Sequence, residues 1–155
     1  MTGTLSSVMG LGAGAFDLPQ DWIGGGSTTE VDDLALAVVS GDGNLDAVIA
    51  QEAGVTVAFG DGLGGSTGDV DAAHTGLNIY RRLEIVDYDV DGTLEIAVAT
   101  ADDSLAEGSW AGLHFFEVEG GALVASPSYY DVGNSPRAIA AGDVVEASID
   151  EGRRQ

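Results

Sequence analysis

The stretch that decides the fold is DYDVDGTLEIAVAT, residues 87–100, in which three aspartates on alternate positions precede a glycine and a run of alternating character. Period-two alternation with β-branched residues is typical of a β-strand. The aspartates lie in the tight turn before it. Two like charges about 4 Å apart repel each other by roughly 4 kcal/mol at an effective dielectric constant near 20, so a cluster of this kind indicates a bound cation.

The turn therefore predicts a calcium site. Hard oxygen ligands in a flexible loop suit Ca²⁺ better than they suit a transition metal or Mg²⁺. The expected ligands are the side chains of Asp87, Asp89 and Asp91, the backbone carbonyl of Thr93 and the closing carboxylate of Glu95. The glycine at position 92 allows the sharp turn between them.

An EF-hand loop begins with the same phrase and is the main alternative. Its twelfth position requires a bidentate acid, and counting from Asp87 that position holds Val98. The flanking segments also alternate like strands. A calcium-binding β-roll is disfavoured because the glycines do not recur every nine residues. The sequence therefore predicts that the aspartate loop joins two strands.

The region around the loop is repeated. GDGNLDAVIA at residues 41–50 superimposes on VDGTLEIAVA at residues 90–99 with an offset of 49 residues, from Gly43 to Gly92. The matching loop holds a second, degenerate calcium site, because Val38 and Ser40 stand where the first acids would be. Its candidate ligands are Ser40, Asp42, Asn44 and Asp46. We expect this second site to be weak or empty.

The spacing of the alternating segments predicts the fold class. Strands are expected near residues 34–39, 45–51, 54–59, 82–86, 94–100, 112–118, 121–126 and 137–142. Four short strands in a unit of about fifty residues are typical of a propeller blade. We therefore predict an all-β fold of propeller-like, four-stranded antiparallel blades. The chain holds about two full blades plus a partial one, so the ring is incomplete in a single chain.

The same pattern predicts the domain organisation. Residues 1–29 form a glycine-rich N-terminal arm, residues 30–149 form the β-repeat domain, and residues 150–155 form a C-terminal tail. The repeat units lie near residues 30–79, 80–132 and 133–149. No calcium site is expected in the third unit, because the glycine turn is missing after its aspartate at position 143.

Composition limits the partners. The 155 residues include 26 acidic and 5 basic ones, for a formal net charge of −21. Nucleic acid and anionic membranes would be repelled, and no segment is long and apolar enough for membrane insertion or typical of a signal peptide. A surface of carboxylates is screened in molar salt, where the Debye length is roughly 3 Å. We therefore expect a halophile's protein.

These motifs together resemble the FG-GAP or VCBS repeats of calcium-binding β-propellers, which occur in the head of α-integrins and in microbial surface proteins. The resemblance covers about residues 30–145 and lies in DYDVDGTLEIAVAT, SGDGNLDAVIAQ, VTVAFGDGLGGST and SPRAIAAGD. The family's D-x-D-x-D-G-x-x-D phrase matches residues 87–95, with Glu95 in place of the last aspartate. The resemblance implies a protein that binds Ca²⁺ and acts outside cells by contact.

The expected function is a non-enzymatic adhesion or interaction module on an extracellular, cell or virion surface, with a receptor or glycan as ligand. The alternative is a structural assembly subunit, such as a capsid or surface-layer decoration, whose open blade edges are completed by other proteins or by a homo-oligomer. The units could also pack as a small sandwich. A hydrolase is least expected, because His74 and His114 lie in dissimilar contexts and no serine occupies a nucleophile elbow.

Overall fold

The alternating segments form two four-stranded antiparallel sheets and two short ribbons. A computed structural model describes residues 5–22, 31–51, 54–73, 78–102, 111–133 and 135–142. Its strands are β1 (Ser6–Ser7), β2 (Gly10–Gly12), β3 (Ala15–Phe16), β4 (Gln20–Asp21), β5 (Val31–Ala37), β6 (Asp46–Gln51), β7 (Gly54–Gly60), β8 (Ser66–Ala73), β9 (Asn78–Val86), β10 (Glu95–Asp102), β11 (Gly112–Glu119) and β12 (Ala122–Tyr130). No helix occurs in these ranges, which confirms the all-β fold class.

Each large sheet is a meander of four consecutive strands. The first blade has the order β5-β6-β7-β8 and the second blade β9-β10-β11-β12. Their registers match at the offset of 49 residues: Leu34 pairs with Ile49 in the first blade as Leu83 pairs with Val98 in the second. The register also shifts at the corresponding place, after Val31 on β5 and before Thr100 on β10. The sequence repeat is therefore a structural repeat, and residues at matching positions are called equivalents below.

The two blades pack face to face with β5 beside β9 and β8 beside β12. The shared core takes Val48, Ala50, Val55 and Val57 from the first blade and Leu83, Ile96, Val98 and Phe116 from the second. These are the inner faces. The inner faces of the two blades are formed by residues at non-matching positions of the repeat. The equivalent of Val48 is Ala97, which lies on the opposite side of β10 from Ile96 and Val98. The blades therefore stack in one orientation, as successive propeller repeats do, and not as a two-fold sandwich.

Two strand predictions were incomplete or wrong. Strand β8 was not expected, because STGDVDAA has glycine and two acids, but pairing along β7 overrides this weak propensity. The strand expected at residues 137–142 does not form, since residues 135–142 carry no strand. Pro136 lacks a backbone donor and the alanines that follow have low strand propensity. Residues 143–155, which include the rest of the third unit and the tail, lie outside the described residues.

The described part of the N-terminal arm is paired with itself and attached to the first blade. Strand β1 pairs with β4, and β2 pairs with β3. The indole Nε1 of Trp22 donates to the Gly64 carbonyl at 2.7 Å, and the Ser7 hydroxyl donates to the same oxygen. The Ser66 hydroxyl donates to the Trp22 carbonyl. The arm therefore covers the turn before β8. Residues 1–4 and 23–29 of the arm lie outside the described residues.

Candidate metal centre

The aspartate loop lies between β9 and β10, so the prediction that it joins two strands is confirmed. Its path requires two left-handed residues, Val90 at φ 63° and Gly92 at φ 94°. The carboxylate of Asp87 accepts from the backbone N–H of Asp91 and of Gly92, each at 3.1 Å. The loop is therefore wrapped around Asp87, which places the neighbouring acids on one side of the turn.

Three of the predicted ligands converge. One carboxylate oxygen each from Asp87, Asp89 and Glu95 lies within 4.8 Å of the others. Asp89 is exposed, Asp87 is half-buried, and Glu95 is only 3% exposed. The loop supplies two of these groups, while β10 supplies Glu95 at its first residue. This arrangement can hold one cation between the loop and the sheet.

The fourth predicted carboxylate, Asp91, does not join this cluster, and the Thr93 carbonyl stays a prediction. The Asp91 Oδ1 atom accepts from the Thr93 backbone N–H at 2.7 Å and from the Thr93 hydroxyl at 2.5 Å. These two hydrogen bonds, the one from the hydroxyl first, lower the pKa of Asp91. Asp91 and Thr93 therefore fasten the C-terminal half of the loop.

The degenerate loop forms no comparable cluster in the described part of the chain. Its Asp46 is fully buried, with Oδ2 accepting from the N–H of Val39 at 3.0 Å and of Ser40 at 2.9 Å, and Oδ1 from the N–H of Gly60 at 3.1 Å. Asp42 instead accepts from the backbone of Asn44 at 2.7 Å, which lowers its pKa. The backbone thus satisfies the buried acid of this loop without a metal.

The two loops differ most at their closing acid. Asp46 and Glu95 are equivalents, and the first donor to each is also equivalent, Val39 N–H in one loop and Tyr88 N–H in the other. Asp46 accepts three backbone hydrogen bonds, whereas Glu95 accepts one, from Tyr88 at 2.8 Å. A buried carboxylate with few donors is costly unless a cation compensates it. Backbone donors therefore compensate the closing acid of the second loop less fully than that of the first.

A cavity of about 170 Å³ adjoins Glu95 and extends the acidic surface beyond the loop. It is lined by Asp89, Glu95, Glu117 and Glu119 and by apolar groups that include Val124 and Pro127. Partial desolvation and then the charge of Glu119 raise the pKa of Glu117. These glutamates were missed because they lie on β11. Their alternate spacing in FEVEG was the available signal, since it places both on the same face of a strand.

Aromatic packing fixes one wall of the site. Tyr88, between the two converging aspartates, stacks on Phe115 with ring centroids 4.3 Å apart. His114 lies on β11 and packs against Tyr129, with ring centroids 4.9 Å apart. His74 lies outside the described residues.

Comparison with protein-family models, curated proteins and solved structures finds no match to this chain. Among the described residues, no helix has the length and apolar character needed to cross a membrane.

Proposed function

We propose that this chain is a calcium-binding β-blade module that acts by contact with other molecules and not by catalysis. The observation that supports the proposal is the environment of Glu95. This residue is 3% exposed, its carboxylate accepts one hydrogen bond, and it converges with the carboxylates of Asp87 and Asp89. Three negative charges at this spacing repel one another in a chain of net charge −21 that contains no lysine. A divalent cation would compensate all three.

The donor set favours calcium over other metals. It consists of carboxylates, and the chain has no cysteine to provide a thiolate. Calcium accepts six to eight oxygen ligands in flexible geometry, so backbone carbonyls and water can complete the shell around three acids. Mg²⁺ demands near-ideal octahedral geometry and usually keeps several of its water ligands, so a flexible loop of carboxylates suits it less well.

The bound ion would fix the end of the second blade. Asp87 and Asp89 belong to the loop and Glu95 to β10, so coordination would tie the loop to the sheet and hold the neighbouring acidic cavity in shape. At a hundredfold excess of Ca²⁺ over its dissociation constant, binding would stabilise the fold by about 2.7 kcal/mol. The resemblance to FG-GAP or VCBS repeats supports contact with a receptor or glycan on an extracellular, cell or virion surface. The net charge of −21 supports a halophilic source.

Terbium luminescence in molar KCl tests the metal site, because Tyr88 lies within the loop and can sensitise a bound Tb³⁺ ion. We expect sensitised emission that Ca²⁺ displaces, and we expect Asp89→Asn and Glu95→Gln to abolish it. The control is Asp69→Asn, which removes one exposed charge from β8, far along the sequence from the loop. Emission that survives both loop variants, or that Asp69→Asn reduces equally, would exclude the proposed site.

The second candidate function is a structural assembly subunit. It is favoured by one observation: large apolar side chains on the first blade are exposed, including Leu34 at 43% and Leu36 at 58%. A subunit built into a larger particle would cover such a surface.

A further inference from the structure

The described part of the N-terminal arm, residues 5–22, forms one hairpin. Strand β1 pairs with β4, and β2 pairs with β3. Between β2 and β3 lie Ala13 and Gly14, both left-handed at φ 50° and 80°, and a two-residue turn of this kind matches the twist of antiparallel strands. Trp22 holds the base of the hairpin against the first blade, whereas every residue from 8 to 21 is exposed. The tip of this arm hairpin is therefore uncovered in the single chain.

Large apolar side chains are concentrated on the arm hairpin. Their exposed fractions run from 44% to 80%, at Val8, Met9, Leu11, Phe16 and Leu18. Single exposed apolar residues are common, but five on one hairpin form a patch. A two-stranded hairpin is also marginally stable in water unless something packs on it. A partner that buried this patch would therefore stabilise the hairpin as well.

The distribution of charge limits what this partner is. All 26 acidic and all 5 basic residues lie from Asp17 onward, so residues 1–16 carry no charged side chain. Two copies of a chain with net charge −21 repel each other wherever their acidic surfaces meet, and molar salt shortens the range of that repulsion to roughly 3 Å without removing it at contact. The N-terminal side of the arm hairpin is where two copies can touch without opposing carboxylates.

The open edges of the hairpin indicate a β-strand as the occupant. Within the described residues, β2 and β3 pair only with each other, so each keeps one edge of backbone N–H and C=O groups. A bilayer interior would leave these groups without hydrogen bonds, which disfavours lipid. The edge of β3 is followed by Asp17 and Pro19, which oppose strand pairing, whereas residues 6–12 contain neither charge nor proline. An uncharged strand with an open edge and apolar side chains fits here, and β2 of a second copy is such a strand.

We propose that two copies of the chain join through β2, antiparallel about a two-fold axis near Leu11, so that the two arm hairpins form one four-stranded ribbon. The same surface is used by both copies, so the contact is isologous and closes at a dimer. The inference goes beyond the calcium-binding role, since the aspartate loop takes no part in the contact. The dimer should therefore form with or without calcium, and failure of either proposal leaves the other standing.

Light scattering in molar KCl, with Ca²⁺ and with EDTA, tests the dimer. We expect twice the 15.7 kDa of the chain in both buffers. Leu11→Asp should reduce the mass to that of the monomer, because it sets two like charges opposite each other at the axis. The matched control is Val132→Asp, at a residue after β12 that is 56% exposed, and it should leave the mass unchanged. A native chain that is monomeric in both buffers, or equal effects of the two variants, would overturn the inference.

Disulfide trapping tests the arrangement, because the chain contains no cysteine of its own. Under oxidation, Leu11→Cys alone should give a covalent dimer, since the two copies of this residue meet at the axis. Val132→Cys should give at least fivefold less, and an equal yield would mean random collision and would overturn the arrangement. Flotation with phosphatidylcholine vesicles tests lipid as the occupant. Native chain that floats with the vesicles, while Leu11→Asp does not, would assign the patch to lipid and overturn the dimer.

Discussion

Asp46 and Glu95 occupy the same place in the repeat, but substitution should affect them in opposite ways. Asp46→Asn keeps one carbonyl oxygen, so at least one of the three backbone hydrogen bonds is lost and an amide N–H₂ faces a backbone donor. Buried, charge-assisted hydrogen bonds contribute about 1.5–3 kcal/mol each. We therefore expect Asp46→Asn to lower the free energy of unfolding by about 2–4 kcal/mol, with or without calcium.

Glu95→Gln keeps its only hydrogen bond, because the amide oxygen can accept from Tyr88 N–H. It also removes one of three converging negative charges. In EDTA its free energy of unfolding should equal or exceed that of the native chain. In saturating Ca²⁺ the native chain should gain about 2.7 kcal/mol at a hundredfold excess over the dissociation constant, and the variant should gain almost nothing.

The assay is urea denaturation in molar KCl, followed by circular dichroism and tryptophan fluorescence, in EDTA and in Ca²⁺. Comparing the two variants in the same buffers removes the general effect of salt on this acidic chain. Equal destabilisation by both variants in EDTA would refute the reasoning, since it would mean that the fold needs Glu95 as a hydrogen-bond acceptor and not as a metal ligand. A calcium-dependent gain that persists in Glu95→Gln would refute it as well.

Three further predictions concern the first blade and the arm. A Cβ on Gly60 would lie 2.0 Å from the Leu45 carbonyl oxygen, so Gly60→Ala should lower the free energy of unfolding by about 3 kcal/mol or more in urea denaturation. Backbone N–H donors lower the pKa of Asp61 from 3.8. Its contribution to the free energy of unfolding is therefore full above pH 3.8 and is lost as the pH falls through the lowered pKa. In acid titrations, the difference in free energy of unfolding between the native chain and Asp61→Asn should disappear over the same range. Trp22→Phe removes the hydrogen bond to Gly64, should cost about 1 kcal/mol, and should speed hydrogen exchange in the arm.

Controls make these results specific. Gly10→Ala is the match for Gly60→Ala, because a Cβ at Gly10 meets nothing within 4 Å, and it should be nearly neutral. Asp69→Asn is the match for Asp61→Asn, and its stability gap should not follow the same acid transition. If Gly10→Ala and Gly60→Ala change the free energy of unfolding equally, the close approach of Gly60 to Leu45 does not cause the destabilisation.

Local sequence signals were enough to predict the architecture. Alternation and the offset of 49 residues predicted seven of the eight strands of the two blades close to their observed places, because successive residues of a strand point to opposite faces of the sheet. The loop at residues 87–94 was placed between strands for the same reason. Strand β8 was not predicted, since its pairing with β7 depends on contact and not on its own composition. Residues 137–142 alternate but form no strand, because Pro136 has no backbone N–H to donate and the alanines have low strand propensity.

The candidate site was predictable only in part. Spacing correctly brought Asp87, Asp89 and Glu95 together, because all three belong to one turn and the strand that follows it. Spacing did not reveal that Asp91 would bond to Thr93, which depends on the loop's backbone geometry. The alternate spacing of the acids on β11 is visible in the sequence, but their position beside the loop depends on strand pairing. The contrast between three donors at Asp46 and one at Glu95 depends on backbone positions that no local pattern encodes.

The most direct measurement is a crystal structure of the chain grown in molar salt with Ca²⁺, with anomalous scattering used to locate the ion. The result expected is one calcium per chain, about 2.3–2.6 Å from carboxylate oxygens of Asp87, Asp89 and Glu95, with none at Asp46. An empty loop in which Glu95 instead accepts further hydrogen bonds from the protein, or an ion bound in the first loop alone, would contradict the proposal.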